Sequence, residues 1–224
     1  MAQEEGESAV GVRGAAEKQA HEDRSAFLRW LLFYLVCGAG IAGLPWLGAT
    51  VPLSPLLRGV GFVLGVLLLP LASVLTPFFW LRRAPRKERK GAWQLLPMVF
   101  AAAGLGVLSL FAGQDAALQE RGRVTEAKVV AVEQGKTDRC TLQQPNGQEI
   151  PLDLKEGDGC DTGIKRGDTV RVRYDPEGAV NPVNDSWKPT SYGAPIAALA
   201  AVFVALGTWG SGRMARRDRE YIAA

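Results

Sequence analysis

Four stretches of this 224-residue chain contain no Asp, Glu, Lys, Arg or His, although 22% of all residues are charged. They cover residues 30–57, 59–81, 91–114 and 189–212. A helix needs about 20 residues to cross a hydrocarbon core ~30 Å thick, so each stretch is long enough. A charge at the centre of such a helix would cost roughly 2.5–3.5 kcal/mol on insertion scales. We therefore predict a multi-pass membrane protein with four transmembrane helices, at 27–47, 56–80, 92–113 and 193–211.

Basic residues between and after these helices predict the orientation. The short loop 81–91 carries six bases, namely Arg82, Arg83, Arg86, Lys87, Arg89 and Lys90, and four arginines follow the fourth helix in the tail 212–224. Loops rich in Lys and Arg stay in the cytoplasm. We therefore predict a cell-membrane protein with a disordered tail 1–25 and both termini in the cytoplasm, and with residues 115–188 outside. The basic loop could also bind anionic lipid, but its role in topology explains it, and we predict no nucleic-acid binding.

Residues 115–188 have the pattern of a small β-domain. Apolar residues alternate at Ile150, Leu152 and Leu154, and a further β-rich run extends from Arg123 to Val132. Alternation with a period of two is typical of strands with one buried face. Pro145-Asn146-Gly147 predicts a turn, because Asn and Gly accept positive φ. The predicted fold class is thus membrane α+β, a four-transmembrane-helix bundle with a small all-β barrel or sandwich inserted between helices 3 and 4.

Two cysteines lie in this domain, Cys140 and Cys160. A domain of this size has a thin core and usually needs a covalent staple. Thiols outside the cytoplasm tend to oxidise. We therefore predict a Cys140–Cys160 disulfide, with two free thiols as the alternative.

A motif strand, defined as residues 167–176, alternates in the same way and consists of Gly167, Asp168, Thr169, Val170, Arg171, Val172, Arg173, Tyr174, Asp175 and Pro176. This segment resembles the closing strand of a β-module in bacterial membrane proteins of a domain-of-unknown-function family. The likeness covers roughly residues 120–185, and the cysteine pair and the acidic loop 156–161 depart from the family pattern. The resemblance implies a module held between transmembrane helices, preceded by a strand such as Val124–Val132 and a hairpin such as Cys140–Leu154. It implies location and fold but no activity.

Catalytic and metal sites are not predicted. The only histidine, His21, lies in the polar N-terminal tail, so a His-dependent triad or a His-based acid–base pair is excluded from the exported domain. The loop Glu156–Asp161 has carboxylates but lacks the spacing of a Ca²⁺-binding EF-hand loop. We predict a plain turn there, no cofactor and no enzymatic activity.

Small residues recur every four positions in the predicted helices: Gly61 and Gly65, Ala102 and Gly106, and a longer ridge of Gly193, Ala197, Ala201 and Ala205. Such spacing lets helix backbones approach closely. It predicts packing within the bundle, with homo-oligomerisation as the alternative.

The leading functional prediction is a non-enzymatic envelope protein that presents its β-module to an extracytoplasmic or membrane protein partner. The alternative is a small-solute or ion transporter or channel subunit. Transporters normally carry ionisable groups at membrane depth. Here a polar pathway would have to use Ser73, Thr76 and Ser109, since Arg29 and Arg58 lie near helix ends, where they can snorkel.

Overall fold

The computed structural model describes the backbone of residues 2–51, 53–80, 95–161 and 163–223. Over these ranges there are five α-helices: α1 (Ala2–Thr50), α2 (Pro55–Phe62), α3 (Leu69–Trp80), α4 (Leu95–Glu120) and α5 (Gly193–Ala223). A π-helical segment, Val63–Leu68, continues α2 into α3. Five strands follow α4 and precede α5 in the chain.

Four helical stretches are long and apolar enough to cross a membrane: Ala20–Thr50, Pro55–Pro77, Leu96–Glu120 and Gly193–Arg216. The predicted number of transmembrane helices is therefore confirmed by length and composition. Many of their large apolar side chains are exposed on the protein surface, as at Leu32 and Phe100. Lipid rather than water is the favourable environment for such a surface.

Helix α1 begins at Ala2 and so runs through the segment 1–25, for which we predicted disorder. This segment contains no proline, and ten of its 25 residues are Ala or Glu. Those residue types have the highest intrinsic helix propensities. The backbone of this segment is therefore helical rather than disordered because of the helix propensity of its own residues.

The chain forms two compact units. The first comprises Met1–Ile41, Leu67–Leu105 and Ala197–Ala224, and the second comprises Ala42–Val66 and Gly106–Ile196. The described residues of the first unit are helical. The second contains the ends of several helices together with the whole β-sheet.

The core of the first unit is organised around the side chain of Tyr34. Its ring is fully buried and lies edge-on to the ring of Phe203, with centroids 5.6 Å apart. A Cβ atom at Gly207 would come within 2.5 Å of the Tyr34 ring, so glycine is needed at this contact. Helices α1 and α5 can therefore pack closely here.

The hydroxyl of Tyr34 also repairs a backbone defect made by Pro77. Proline has no N–H, so the carbonyl four residues earlier, that of Ser73, loses its helical partner. Tyr34 donates to that carbonyl at 3.2 Å, and its oxygen lies 2.8 Å from Oγ of Ser211. Because the phenol has one proton, Ser211 donates to Tyr34. In a lipid environment a freed carbonyl must find such a partner.

The second unit contains a five-stranded antiparallel sheet in the order β3-β2-β1-β4-β5. The strands are β1 (Arg123–Glu133), β2 (Arg139–Gln143), β3 (Leu154–Lys155), β4 (Thr169–Tyr174) and β5 (Val183–Asn184). The turn after β3 brings Gly159 against Asn184 of β5, where an added Cβ would lie 3.0 Å from the Asn184 Cβ. The sheet is therefore nearly closed.

The buried face of the sheet carries the alternating apolar residues. The main core cluster consists of Ala127, Val129, Cys140, Leu142, Ile150, Leu154, Cys160, Val172 and Tyr174. The predicted turn at 145–147 is present, with Gly147 at φ 86°. The segment around Leu152 differs from the predicted alternating strand, because Pro151 lacks the N–H that a ladder requires. Only Leu154–Lys155 pairs there as a regular strand.

The predicted disulfide is confirmed: Cys140 and Cys160 are bonded, with Cα atoms 5.8 Å apart. Both half-cystines are fully buried in the main core cluster. The bond joins β2 to the loop after β3 and encloses a chain segment with a sequence separation of 20. It therefore covalently connects β2, the strand beside the edge strand β3, to the loop that nearly closes the sheet.

Replacing both cysteines by alanine should lower the free energy of unfolding of the β-domain by about 3 kcal/mol, through lost restriction of the unfolded chain. Urea unfolding of the full chain in mild detergent would measure this loss. In a Cys37→Ala background, which removes the remaining cysteine, alkylation without reduction should modify no thiol. Two modified thiols in that protein would contradict the pairing.

Replacing Tyr34 by phenylalanine should destabilise the helical unit by about 1 kcal/mol, because the Ser73 carbonyl then has no donor. Thermal unfolding in detergent, followed by circular dichroism, would measure the change. Tyr192→Phe is the matched control, since Tyr192 lies outside this core. Equal stabilities of the two variants would count against the proposed repair of the Pro77 position.

Candidate functional site

The motif strand starts in a tight turn that attaches it to β1. Gly167 has φ of 100°, and its N–H donates to the Val129 carbonyl at 2.8 Å. The Asp168 carboxylate accepts from the backbone N–H of Lys165 at 2.8 Å. Glycine relieves the positive φ and aspartate closes the turn. The Gly-Asp pair therefore determines where β4 begins.

Within β4 the predicted alternation is observed. Val172 and Tyr174 are buried and Val170 is partly buried, whereas Thr169 and Arg171 are exposed. The Tyr174 hydroxyl donates to Oε1 of Gln144 at 3.3 Å. The strand thus contributes apolar area on one face and charge on the other.

Asp175, the residue after β4, is almost completely buried, with 1% of its surface exposed. Its carboxylate accepts four hydrogen bonds: from Arg121 Nε at 3.1 Å, from Arg121 Nη2 at 3.2 Å, from the Glu177 N–H at 3.1 Å and from the Ala179 N–H at 3.0 Å. Pro176 is exposed and forms part of the turn that these bonds close. A buried carboxylate needs such a set of partners.

Arg121 follows directly after α4 and also reaches the C-terminal end of α1. Its Nη1 donates to the Thr50 carbonyl, and its Nη2 donates to the Ala49 carbonyl at 3.0 Å. The last carbonyls of a helix have no partner within the helix, and a cation is favourable there because of the helix dipole. We call the set Ala49, Thr50, Arg121 and Asp175 the Arg121 junction.

Opposing effects determine the pKa of Asp175. Burial alone would raise this pKa, but the hydrogen bonds from Arg121 and from the two backbone amides outweigh it and hold the pKa below its ordinary value. The hydrogen bond to Asp175 likewise raises the pKa of Arg121. Both groups are therefore charged at neutral pH, and the junction is an ion pair with bidentate geometry.

Two further contacts join the same elements. Ala117 and Leu118 at the end of α4 are buried against Val180 and Val183, with Trp187 packed beside them. Arg58 in α2 donates through Nη1 to the Ala179 carbonyl at 3.1 Å and more weakly to that of Gly178 at 3.4 Å. The segment after Asp175 is therefore held by apolar packing as well as by two arginines.

The connection between α4 and β1 is only two residues long. Only Arg121 and Gly122 lie between Glu120 and Arg123. A Cβ atom at Gly122 would come within 2.3 Å of the Leu118 carbonyl oxygen and 3.1 Å of the Arg173 Cγ. Glycine is therefore required for the helix to pass directly into the strand.

The predicted helix-packing residues divide into two groups. An added Cβ at Gly65 would lie 2.8 Å from Cδ of Pro45, and Ala102 and Gly106 are buried, so close packing is observed at these positions. Gly61 is less crowded, with its nearest contact at 3.8 Å. By contrast, the ridge of Gly193, Ala197, Ala201 and Ala205 is exposed, and homo-oligomerisation through it stays a prediction.

The structure describes only some of the other predicted residues. The basic loop residues Arg82, Arg83, Arg86, Lys87, Arg89 and Lys90 fall outside the described residues. The hydroxyls of Ser73 and Thr76 donate to carbonyls of their own helix, those of Pro70 and Ala72. The part of the chain that the structure describes contains no group of three or more His, Cys, Asp or Glu residues arranged to hold a metal ion.

The sequence pattern did not point to Arg121 or to the bonds of Arg58. Asp175 belonged to the predicted motif, but nothing local indicated its burial. Two local features could have indicated the ion pair: an Asp-Pro pair directly after a strand, and an arginine directly after a predicted membrane helix. Pairing these two requires knowledge of which strands are neighbours.

Compared with protein-family models, with curated proteins and with solved structures, the chain matches none. The resemblance of residues 120–185 to the domain-of-unknown-function family therefore stays a prediction.

Replacing Asp175 by asparagine should lower the free energy of unfolding by about 2–3 kcal/mol, because a buried charge-assisted network loses its anion. The pKa of Asp175 is lowered in the folded protein, so its contribution is present above the ordinary carboxyl pKa and is lost as the pH falls through the folded value. Urea unfolding between pH 7 and pH 3 should show this loss in the wild type. Asp161→Asn, at an exposed position, is the control and should keep the wild-type profile; an unchanged profile in Asp175→Asn would contradict the role of the junction.

Proposed function

We propose that this protein is a non-enzymatic envelope protein of the cell membrane, in which a four-helix bundle carries a β-module inserted between its third and fourth spans. Both termini are cytoplasmic and residues 115–188 are extracytoplasmic. The module presents a rigid surface to a protein partner in the envelope. The observation that carries this proposal is the Arg121 junction, because it attaches the module to helix ends through buried charge rather than through a flexible linker.

The proposed location has two supports. The disulfide Cys140–Cys160 is of the kind that persists in oxidising compartments and is rare in the cytoplasm. The basic residues of loop 81–91 and of the C-terminal tail favour cytoplasmic placement of those segments. With four crossings, both supports favour a sheet on the opposite side of the membrane from these basic segments.

The surface that we propose for the partner is the solvent-facing side of β1 and β4. There Glu126 pairs across the strands with Arg171, and Lys128 pairs with Thr169; all four are exposed. We call these four residues the outer face. Arg171 also lies 3.1 Å from Asp185, which orients its side chain. A fixed pattern of both charge signs favours selective, electrostatically complementary protein contacts.

Transport is the alternative that the sequence leaves open. The polar side chains at membrane depth include Tyr34, Ser73 and Ser211, and their hydroxyls are hydrogen-bonded to each other or to helix carbonyls. Such bonds stabilise proline-containing helices. Because stabilisation of the helices explains these three hydroxyls, we rank presentation of the module above transport.

One experiment tests location and presentation together. In a Cys37→Ala background, Lys136→Cys in the loop after β1 should react with a membrane-impermeant maleimide on intact cells. Arg216→Cys, at the C-terminal end of the fourth candidate span, should react only after permeabilisation. The opposite labelling pattern would overturn the proposed orientation.

A photo-crosslinking amino acid at Lys128 or Thr169 should then form a discrete adduct with one envelope protein in intact cells. The adduct should fall at least severalfold when Arg121→Gln loosens the junction, while impermeant labelling at Lys136→Cys continues. Adducts of equal yield in both backgrounds would contradict rigid presentation. Their absence at both outer-face positions, with transport activity in reconstituted vesicles, would favour the alternative.

A further inference from the structure

A cavity of about 330 Å³ lies within the second unit, between parts of α1, α2 and α4. Its volume is in the range of ligand pockets, roughly 300–1,000 Å³. Most of its wall is apolar, with Leu44, Pro45, Phe62 and Leu110 among the lining residues. Two polar side chains, Arg58 and Gln114, also line it. The cavity thus combines an apolar chamber with a cationic group at one side.

The charge of Arg58 has no counter-anion among the residues that the structure describes. Its hydrogen bonds go to neutral carbonyls, those of Leu53, Gly178 and Ala179. Its Nε is buried and has no acceptor in the described part of the chain. A partly buried guanidinium without an anion is costly, and an anionic group placed against it would be attracted strongly. Arg121 differs in this respect, because the carboxylate of Asp175 balances its charge.

The position of the cavity indicates the kind of anion. It lies at the end of candidate spans, and the neighbouring surface of α2 is apolar and exposed, including Leu57 at 53% and Val60 at 48%. Phosphate groups of membrane lipids lie at this level of a bilayer, where arginines of helix ends reach them. A small hydrophilic anion would make no favourable contact with the apolar wall of the cavity.

We propose that this cavity is a binding site for one anionic phospholipid, with the phosphate against Arg58 and Gln114 and the upper part of an acyl chain along Phe62 and Leu110. The inference does not depend on the proposed role of the β-module. It requires only that α1, α2 and α4 span the membrane. Because Ala179 also lines the cavity, the bound lipid would touch the loop that follows Asp175.

Two variants test the site without relying on a single effect on folding. Arg58→Gln removes the charge. Gly59→Leu keeps Arg58 and adds bulk at a residue that lines the cavity, and a Cβ at Gly59 has open space because it meets no heavy atom within 4 Å. Gly43→Leu is the matched control: a Cβ there also has open space, and Gly43 does not line the cavity.

The measurement is binding of dioleoyl phosphatidylglycerol to the full detergent-solubilised chain by native mass spectrometry, with dioleoyl phosphatidylcholine and inorganic phosphate as comparison probes. We expect one preferentially retained phosphatidylglycerol per chain, with apparent affinity about tenfold or more weaker in Arg58→Gln and Gly59→Leu and unchanged in Gly43→Leu. Equal retention of phosphatidylcholine, or unchanged affinity in Gly59→Leu, would overturn the proposal. Competition by millimolar phosphate alone would identify a simple anion site and would also overturn the lipid assignment.

Discussion

The guanidinium of Arg121 is the interaction on which the second unit depends. One planar cation donates on one side to the buried carboxylate of Asp175 and on the other to the last carbonyls of α1. Each of these acceptors would be unfavourable alone: the carboxylate because it is buried, and the carbonyls because a helix end leaves them unpaired. The side chain of Arg121 therefore provides hydrogen bonds both to a buried carboxylate and to unpaired helix carbonyls, at the place where helix ends and the sheet meet.

Much of the architecture follows from local patterns in the sequence. The uncharged stretches correspond to the candidate spans, and alternation predicts β1 and β4, because both signals depend only on neighbouring residues. Failures occur where the outcome depends on distant partners. Pro151 interrupts an alternation that otherwise looks regular. The ridge from Gly193 to Ala205 is exposed in the single chain, and its contact with a second copy stays a prediction. The burial of Asp175 could not be predicted, since it requires Arg121 from an element that is remote in sequence.

Backbone groups at membrane depth impose a second constraint. Pro77 frees a carbonyl in an environment that supplies no water, and the chain meets this with the hydroxyl of Tyr34 from another helix. Gly207 makes room for the ring. The two units therefore use the same physical solution in different surroundings. In each, an unpaired helix carbonyl is satisfied by a long side chain from a different element, a neutral phenol in the apolar helical unit and a charged guanidinium near the sheet.

The direct passage from α4 into β1 through Gly122 has a consequence for how the sheet responds to the bilayer. Helices adapt to changes in hydrocarbon thickness by tilting. No flexible residues separate α4 from β1, and Arg121 is hydrogen-bonded to Asp175 and to the end of α1 at the same place. A tilt of α4 therefore rotates β1 with it. We therefore expect a change in bilayer thickness that tilts α4 to change the orientation of β1 and of the exposed charged residues on it.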